Sequence, residues 1–562
     1  MIIWGLILTR GQAHIFLSMK KNTQDLLIAV IKDTLKKQGL SLAEDQIILD
    51  LPADHRFGDL ATNCAMRLAR SLKKPPFEIA NTLIEALKKN LKGPLAKYIK
   101  DIKVEGAGFI NFYFQDAYFQ DFLRDLLLNG QKALKIDAGK KKKVMIEFVS
   151  ANPTGALSVA HARQAAVGDA LANILEFLNF RVTREYYLND EGNQINILGR
   201  SVELRQKELA GEKIEFPEDH YQGDYIYDIA RQAQKQKDKI KNIGDFAADY
   251  ILSIIKKELD DFGVKFDVWY SQKALGSSGK IEKYLAELKK RGCLYESEGA
   301  LWFKSIGFGD DKDRVVKKSD GAYTYLAPDI AYHQEKYKRG FEQLINMWGP
   351  DHHGYISRLK ASVAAFGHNP DSLSVIIVQL ATIFRNGQPV QMSTRRGQYI
   401  TLREVLDEVG ADAARFFFMM RRTSSHLDFD LEIAKKQSKD NPVFYVQYAH
   451  ARICSILNSA PAKINPKKID FSLLKEKEEV ELFKKLSEFS SVLNICAQAQ
   501  DPYMLTVYLT QVAEDFHKFY DNHRVLGQEE NLTLSRLALL SAARAVIACG
   551  LKLLGVSQPE KM

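Results

Sequence analysis

Apolar residues recur at helical spacing from Gln24 to Gly39 (Leu26, Ile28, Ala29, Ile31, Leu35), and the same period returns around Leu60–Leu72 and Phe77–Leu91. The period then changes. IKVEGAGFINFYF, Ile102–Phe114, alternates in twos and turns at Gly106 and Gly108, which predicts a pair of strands. These segments describe a compact α+β unit. The basic stretch Lys140–Lys143 that follows reads as a solvated charge run at the edge of a linker.

A different pattern opens at Val144. VMIEFVSANPTG is a buried-strand run ending in a Gly/Pro turn, followed by a helix over Ala160–Leu178 and a second strand at Phe180–Tyr187. Strand, turn, helix, strand is the start of a doubly wound parallel sheet. Residues from about 196 to 310 are lysine-rich and mostly helical in pattern, which predicts an insertion. Sheet-like segments return at Gly299–Phe303, Leu344–Trp348 and Leu373–Val378. From Leu431 onward the pattern is all helical: Phe444–Leu457, Val480–Ala497, Tyr503–Tyr520 and Leu534–Leu554 carry apolar residues three and four apart. That predicts a helical bundle.

Composition narrows the class. The 562 residues are 46% hydrophobic and 27% charged, ordinary for globular protein. A net charge of +9 is mild for this length. It suits docking and release of one folded RNA better than coating of DNA, although a basic enzyme indifferent to RNA would look the same. Cys64, Cys293, Cys454, Cys496 and Cys549 are scattered without a CxxC pair, which argues against a zinc site or a disulfide framework and for a reducing cytoplasm. Ile2–Leu8 is too short to span a membrane, and Met19 opens a polar helix entry, so residues 1–18 are read as a start-site or disordered extension. No later run reaches 18 uninterrupted apolar residues, so no span is predicted.

Four segments carry chemistry. Val149–Leu175 places a turn after the first strand of a doubly wound sheet, where ligands bind, and then a helix start whose free N–H groups suit phosphate. A histidine there, His161, can donate to a phosphate oxygen as charge develops, though alone it reads first as a cap or packed residue. Phe384–Leu402 is a polar, basic loop between Gly387 and Gly397 that suits an anionic ligand. VTREYYLNDEGNQI, Val182–Ile195, sets amides and carboxylates at a strand end, as a guanidinium with five donors requires; the bland alternative is a capped loop entering a helix. AYTYLAPDIAYHQEKY, Ala322–Tyr337, adds further acidic and phenolic groups. Adjacent histidines His352 and His353 seldom ligate one ion, so no structural metal is predicted.

These segments resemble the arginyl-tRNA synthetases, the arginine type of class I aminoacyl-tRNA synthetase, in their bacterial form. That family carries a stretch like SANPTG-PLHVGH-GR as its version of the HIGH signature; here it reads SANPTG-ALSVAH-AR. The last histidine matches at His161, but the first histidine position holds Ser158 and the glycine position holds Ala160. Ser158 can give one hydrogen bond without carrying charge, and losing a transition-state donor costs roughly 3–4 kcal/mol in comparable sites. The methyl of Ala160 intrudes where the resemblance puts adenine against the backbone. The basic loop resembles the KMSKS loop that closes over the pyrophosphate. Met392 and Ser393 match, whereas Gln391 and Thr394 stand at the two lysine positions. Some relatives lacking the second lysine carry a substitute just upstream of the HIGH histidines; the corresponding position here is Gly155. Arg395 and Arg396 remain as pyrophosphate ligands, forked where lysine is a point charge.

The resemblance assigns the rest. Ser158, Val159, Ala160 and His161 with Gln391, Met392, Ser393, Thr394 and Arg395 form the ATP-binding and catalytic set. Gly349, Asp351 and His352, in MWGPDHHGY, line the adenosine pocket, with His353 a further contact. Asn152, Asn189, Tyr325 and Asp329 hold arginine, with Asp329 making the charge-assisted bond. At the ends, HRFGDLATNCAMRLA resembles an N-terminal RNA-contacting domain, and DAARFFFMMR and NPVFYVQYAHARICSI the opening of a helical anticodon-binding domain. Tyr445, Tyr448, His450, Arg452, His523 and Arg524 are set to stack on or pair with unstacked bases, core packing being the alternative for the two tyrosines.

The expected architecture is multidomain α/β. It comprises an extension at 1–18, an α+β tRNA-contacting domain at 19–120, a Rossmann-like catalytic domain at 140–430 with the helical insertion at about 196–310, and an α-helical anticodon-binding domain at 431–562. The expected activity is arginine–tRNA ligation with ATP and its Mg2+ on tRNA(Arg), by a cytoplasmic monomer with no membrane or DNA partner. A synthetase-like paralogue that binds tRNA or arginine with weak activation chemistry is the alternative, since both ATP loops are altered. A nucleotidyltransferase acting on another acceptor is a third reading, which the helical C-terminus speaks against.

Overall fold

A computed structural model describes residues 23–43, 46–52, 54–390, 399–460 and 464–562. The first unit folds around a four-stranded antiparallel sheet in the order Leu49–Asp50, Leu60–Thr62, Phe109–Phe114, Ile99–Glu105. Its alternating residues Ile102, Ile110, Phe112 and Phe114 point into the core against helices Thr23–Lys37 and Pro76–Asn90. The hairpin turns at Gly106 and Gly108, both at positive φ. One expectation fails here. The helix read from Leu60 starts at Cys64, because Leu60–Thr62 pairs with Phe109–Phe114 and is buried throughout. A three-residue apolar run carries no period that separates strand from helix.

The central sheet is parallel and ordered Leu373–Ile377, Gln343–Trp348, Lys143–Glu147, Arg181–Leu188, Val268–Ser271. Val144, Met145 and Ile146 are buried on both faces, the reason the first strand reads as a continuous apolar run. The chain winds outward from that strand to Val268–Ser271, then crosses to the opposite side. The switch point therefore lies between Lys143–Glu147 and Gln343–Trp348, and the crevice opens beyond their carboxyl ends. Helix Val159–Phe177 packs so closely on this sheet that a Cβ at Gly168 would enter the Phe148 ring.

Val268–Ser271 corrects the reading of 196–310 as one helical insertion. The sheet resumes inside that stretch, in a four-residue, half-buried strand too short for its period to register. Its helices Asn193–Leu209, Tyr225–Lys235 and Ile243–Asp261 pack together, and Leu294–Ser297, Ala300–Phe303 and Arg314–Lys317 form a small antiparallel sheet of their own.

Helices Pro442–Asn458, Lys477–Ser487, Phe489–Ala499, Tyr503–Asn522 and Glu530–Leu553 complete the molecule. The single helix expected over Val480–Ala497 is two, broken at Glu488, where no Gly or Pro marks the break and the apolar period continues. Glu530–Leu553 is long and apolar enough to cross a membrane, but most of it is buried against its neighbours. One continuous apolar cluster runs from the first unit through the central sheet to these helices. Phe119 meets Phe483 and Phe177 meets Phe489 at the joints.

Candidate active site

The crevice at the switch point is a cleft of about 860 Å³. Its first wall is the turn between Glu147 and helix Val159–Phe177. Val149 and Ser150 both take positive φ there, a conformation that costs about 1–3 kcal/mol per residue and is rare for a β-branched side chain. Neighbours hold it: Tyr187 N–H donates to Ser150 Oγ (3.1 Å), Ser150 Oγ to Glu147 Oε1 (3.3 Å), and Tyr186 Oη to the Ala151 carbonyl (2.9 Å).

At the helix start, Ser158 N–H donates to His161 Nδ1 at 3.1 Å, and Ser158 Oγ lies 3.1 Å from the same nitrogen. His161 is thus both a cap and a cleft residue. Burial pushes its pKa down to about 4, so the ring is neutral near pH 7. With Nδ1 accepting, the remaining proton sits on Nε2 and is available to an anion. Ala160 lines the cleft beside it. Val159 does not: its side chain is buried in the core and its N–H bonds the Ile400 carbonyl, so it can only hold the turn. Tyr225 Oη donates to Thr154 O (2.7 Å) and Tyr399 Oη to Ala156 O (3.0 Å), closing the turn on either side of Gly155. Gln391, Met392, Ser393, Thr394, Arg395 and Arg396 lie outside the described residues.

Across the cleft, Asp329 accepts from Tyr355 Oη at 2.7 Å. Burial raises its pKa to about 7, with the nearby Glu147 adding to the rise, while Tyr355 and Lys336 oppose it. A cationic group placed there would be met by a carboxylate poised to ionise. Tyr325, 82% exposed, stands over the same opening from the start of helix Leu326–Lys338. Asn152 donates to Gln194 Oε1 at 2.7 Å, and Asn189 lies beside them in the lining. Gly349, Asp351 and His352 form the third side, in the turn after Gln343–Trp348. His352 Nε2 is 3.4 Å from Asp351, and a Cβ at Gly349 would press on the Asp351 carboxylate. His353 is exposed outside the lining. Among the described residues no group of three or more His, Cys, Asp or Glu side chains is arranged to hold a metal ion.

The fold therefore gathers Asn152, Ala160, His161, Asn189, Tyr325, Asp329, Gly349, Asp351 and His352 around one cleft from separate stretches of the chain. Sequence reasoning missed Glu147, Gln194, Gln272, His333 and Tyr355, which line it too. Glu147 had a signal, a lone carboxylate ending an apolar strand. Tyr355 closes the MWGPDHHGY segment, but its bond to Asp329 crosses 26 positions.

The helical bundle shows a separate surface. Tyr448 is exposed and stacks with Phe444 and His517. Arg452 donates to Tyr520 Oη at 2.7 Å with its guanidinium over the ring. Tyr445 packs on His517, His523 sits 3.0 Å from Glu478, and the Arg524 side chain is exposed. His450 is a correction: it is buried, and its Nδ1 bonds the Pro559 carbonyl, so it cannot reach a base.

A doubly wound sheet with a nucleotide-type turn at its switch point and an appended helical bundle defines a class I aminoacyl-tRNA synthetase. The profile described as tRNA synthetases class I (R), catalytic domain, matches residues 122–430; that of the arginyl tRNA synthetase N terminal domain matches 25–114, and that of the DALR anticodon binding domain 446–562. A methionyl-tRNA synthetase from Mycobacterium tuberculosis shares the fold at TM-score 0.54 and 10% identity, covering 75% of this chain and 92% of that one. The Thermus thermophilus arginyl-tRNA synthetase shares it at TM-score 0.75 and 21% identity, covering 96% of this chain and all of that one. Arginine–tRNA ligases of Geobacter sp. (strain M21) and Carboxydothermus hydrogenoformans are 47% and 46% identical over 530 and 542 residues. Those matches cover 92% and 94% of this chain and 95% and 96% of the relatives. The chain belongs to the arginyl-tRNA synthetase family.

Proposed function

We propose that the cleft activates L-arginine with ATP and passes the arginyl group to tRNA(Arg), with the residues in the following roles. His161 donates from Nε2 to the phosphate that becomes pentavalent, and Ser158 holds the imidazole while Ala160 borders the adenine. Gly349, Asp351 and His352 take the adenosine. Asp329 and Tyr325 hold the guanidinium; Asn152 and Asn189 hold the amino-acid end. Gln391, Met392, Ser393, Thr394 and Arg395 close on the pyrophosphate, and Mg2+ arrives with ATP as part of the substrate. No protein nucleophile is needed: alignment of carboxylate and α-phosphate, and stabilisation of charge, carry the reaction. Release of pyrophosphate leaves arginyl-adenylate, which the terminal ribose of the tRNA then attacks.

The single observation that carries this reading is the position of Asp329, a carboxylate that accepts from Tyr355, across the cleft from a neutral His161 at a helix N-terminus. The organisation proposed with it is a tRNA-contacting unit at 19–120, a catalytic unit at 140–430 and an anticodon-binding unit at 431–562. In the last, Tyr448, Arg452, His523 and Arg524 meet unstacked bases. The enzyme works as a cytoplasmic monomer with no membrane or DNA partner. Nothing among the described residues or the relatives favours a paralogue that only binds. Arginine-dependent exchange of pyrophosphate into ATP, with tRNA present, tests the assignment; no exchange at high enzyme concentration would overturn it. Ser158→His with Ala160→Gly and Gln391→Lys is expected to raise the exchange rate, and an unchanged rate would mark the altered loops as adapted.

A further inference from the structure

Beneath the arginine end of the cleft lies a charged group that the mechanism above does not use. Lys336 has no exposed surface, and a lone buried ammonium is strongly disfavoured unless paired. Its Nζ donates to Glu147 Oε2 at 2.5 Å and to Asn346 Oδ1 at 3.2 Å. Because lysine only donates, Asn346 must turn its oxygen to Lys336 and its Nδ2 to His333. Asn346 Nδ2 lies 2.8 Å from His333 Nε2, and His333 Nδ1 lies 2.8 Å from the Asp329 carbonyl. The polarity of the whole chain is thereby fixed: Nε2 accepts, Nδ1 carries the proton, and His333 stays neutral, as its burial also requires. The relay ends on the turn that carries Asp329, while its other arm occupies the carboxylate of Glu147.

We propose that Lys336 is a positioning residue, which cancels the Glu147 charge under the arginine pocket and, through Asn346 and His333, anchors the turn from which Asp329 meets the guanidinium. This rests on the reading of Asp329 as the guanidinium partner. The groups facing Asp329 are Tyr355, Tyr187 and Glu147 from other elements and Lys336 and His333 from its own helix. With Lys336 removed, Glu147 faces Asp329 uncompensated. Asp329 then ionises only at higher pH, and arginine is bound less well near neutrality. With both charges removed the two effects cancel.

The test measures the arginine KM in tRNA-dependent pyrophosphate exchange from about pH 6 to pH 8.5 for the full-length wild type, Lys336→Met, Lys336→Met with Glu147→Gln, and Asp329→Asn. Lys336→Met is expected to raise KM about fivefold near pH 7 and toward about tenfold on the acid side, with kcat changed far less, as the midpoint of the KM profile moves up by about one pH unit. The double variant is expected to return the midpoint to that of the wild type. An unshifted midpoint in Lys336→Met, or a double variant as shifted as the single, overturns the proposal. If the single variant does not fold, the double decides: a wild-type midpoint supports the charge pairing and a shifted one refutes it. A wild-type KM in Asp329→Asn refutes the underlying reading separately.

Discussion

Ser158 and His161 are locked to one another across the first turn of the helix that opens the cleft: the Ser158 N–H donates to His161 Nδ1, leaving Nε2–H for the ligand. The backbone bond does not depend on the serine hydroxyl, which lies at the same 3.1 Å from the ring nitrogen. His161→Ala is therefore expected to lower kcat for adenylate formation about 100-fold or more, the loss of one charge-stabilising donor, with the arginine KM little changed. Ser158→Ala keeps the backbone bond and is expected to lose less than tenfold, the scale of one modest hydrogen bond. Single-turnover adenylate formation measures both, and equal losses would show that the hydroxyl itself meets the phosphate.

The family resemblance would place a substitute for the second loop lysine at Gly155, but here a Cβ at that position would lie 3.3 Å from Tyr399 Oη and 3.4 Å from Tyr225 Oη. Those hydroxyls hold the carbonyls of Thr154 and Ala156. Gly155→Lys is accordingly expected to reduce exchange activity by breaking these bonds, rather than to supply a phosphate ligand. Tyr225→Phe and Tyr399→Phe are each expected to cost about 1 kcal/mol, read as a roughly fivefold fall in kcat/KM for ATP. An increase in activity on Gly155→Lys would show that the turn yields and the amine reaches the cleft.

How much of this was legible in the sequence follows from how far apart the interacting groups lie. The strand–turn–helix around His161 is local, and so its position and its neighbours were readable from the run Val149–Leu175. The strand Val268–Ser271 was not, because its place in the sheet is set by pairing with Arg181–Leu188 across a helical stretch that hides it. The same holds within the site. Asp329 and Tyr325 came from one short motif, whereas the partners that tune them do not: Tyr355 and Glu147 come from other elements, and Lys336 reaches Glu147 across 189 positions. Buried polar side chains such as Lys336 and Asn346 look like surface residues to a hydrophobicity pattern; only the completed hydrogen-bond chain distinguishes them.

Asp329 gives the site a pH dependence whose sign is fixed. Its pKa in the free enzyme is raised to about 7, by burial first, and a bound guanidinium must lower it by favouring the carboxylate. Arginine binding therefore reaches full strength about one pH unit above 7 and weakens as pH falls through that value, KM rising toward about tenfold per pH unit on the acid side. Tyr355 opposes the rise by donating to the carboxylate. Tyr355→Phe is expected to move the profile to higher pH and raise KM several-fold near neutrality. A KM flat between about pH 5.5 and pH 8 would show that Asp329 is ionised throughout.

The buried guanidinium of Arg415 helps tie the helix that presents His161 to the rest of the molecule. Arg415 donates from Nε to the Leu554 carbonyl (2.8 Å), from Nη1 to the Phe262 carbonyl (3.1 Å) and from Nη2 to Asp169 Oδ2 (2.5 Å). Asp169 belongs to helix Val159–Phe177, Phe262 to the end of the insertion helix and Leu554 to the end of the last helix. One planar fork thus satisfies three acceptors from three helices, which a lysine cannot reproduce. Arg415→Met leaves the buried Asp169 carboxylate to Arg184, 3.5 Å away, and to the neutral Asn173 amide at 3.2 Å, and is expected to destabilise by about 3 kcal/mol. Arg415→Lys should recover little of it. Gly555 lies at positive φ directly against the same guanidinium, so Gly555→Ala is expected to cost about 1–3 kcal/mol through strain and displacement of the fork. Thermal unfolding checks the order: a lowered midpoint in all three, with Arg415→Met and Gly555→Ala less than additive because they disrupt one contact. Additive losses would show that the glycine acts on the backbone alone.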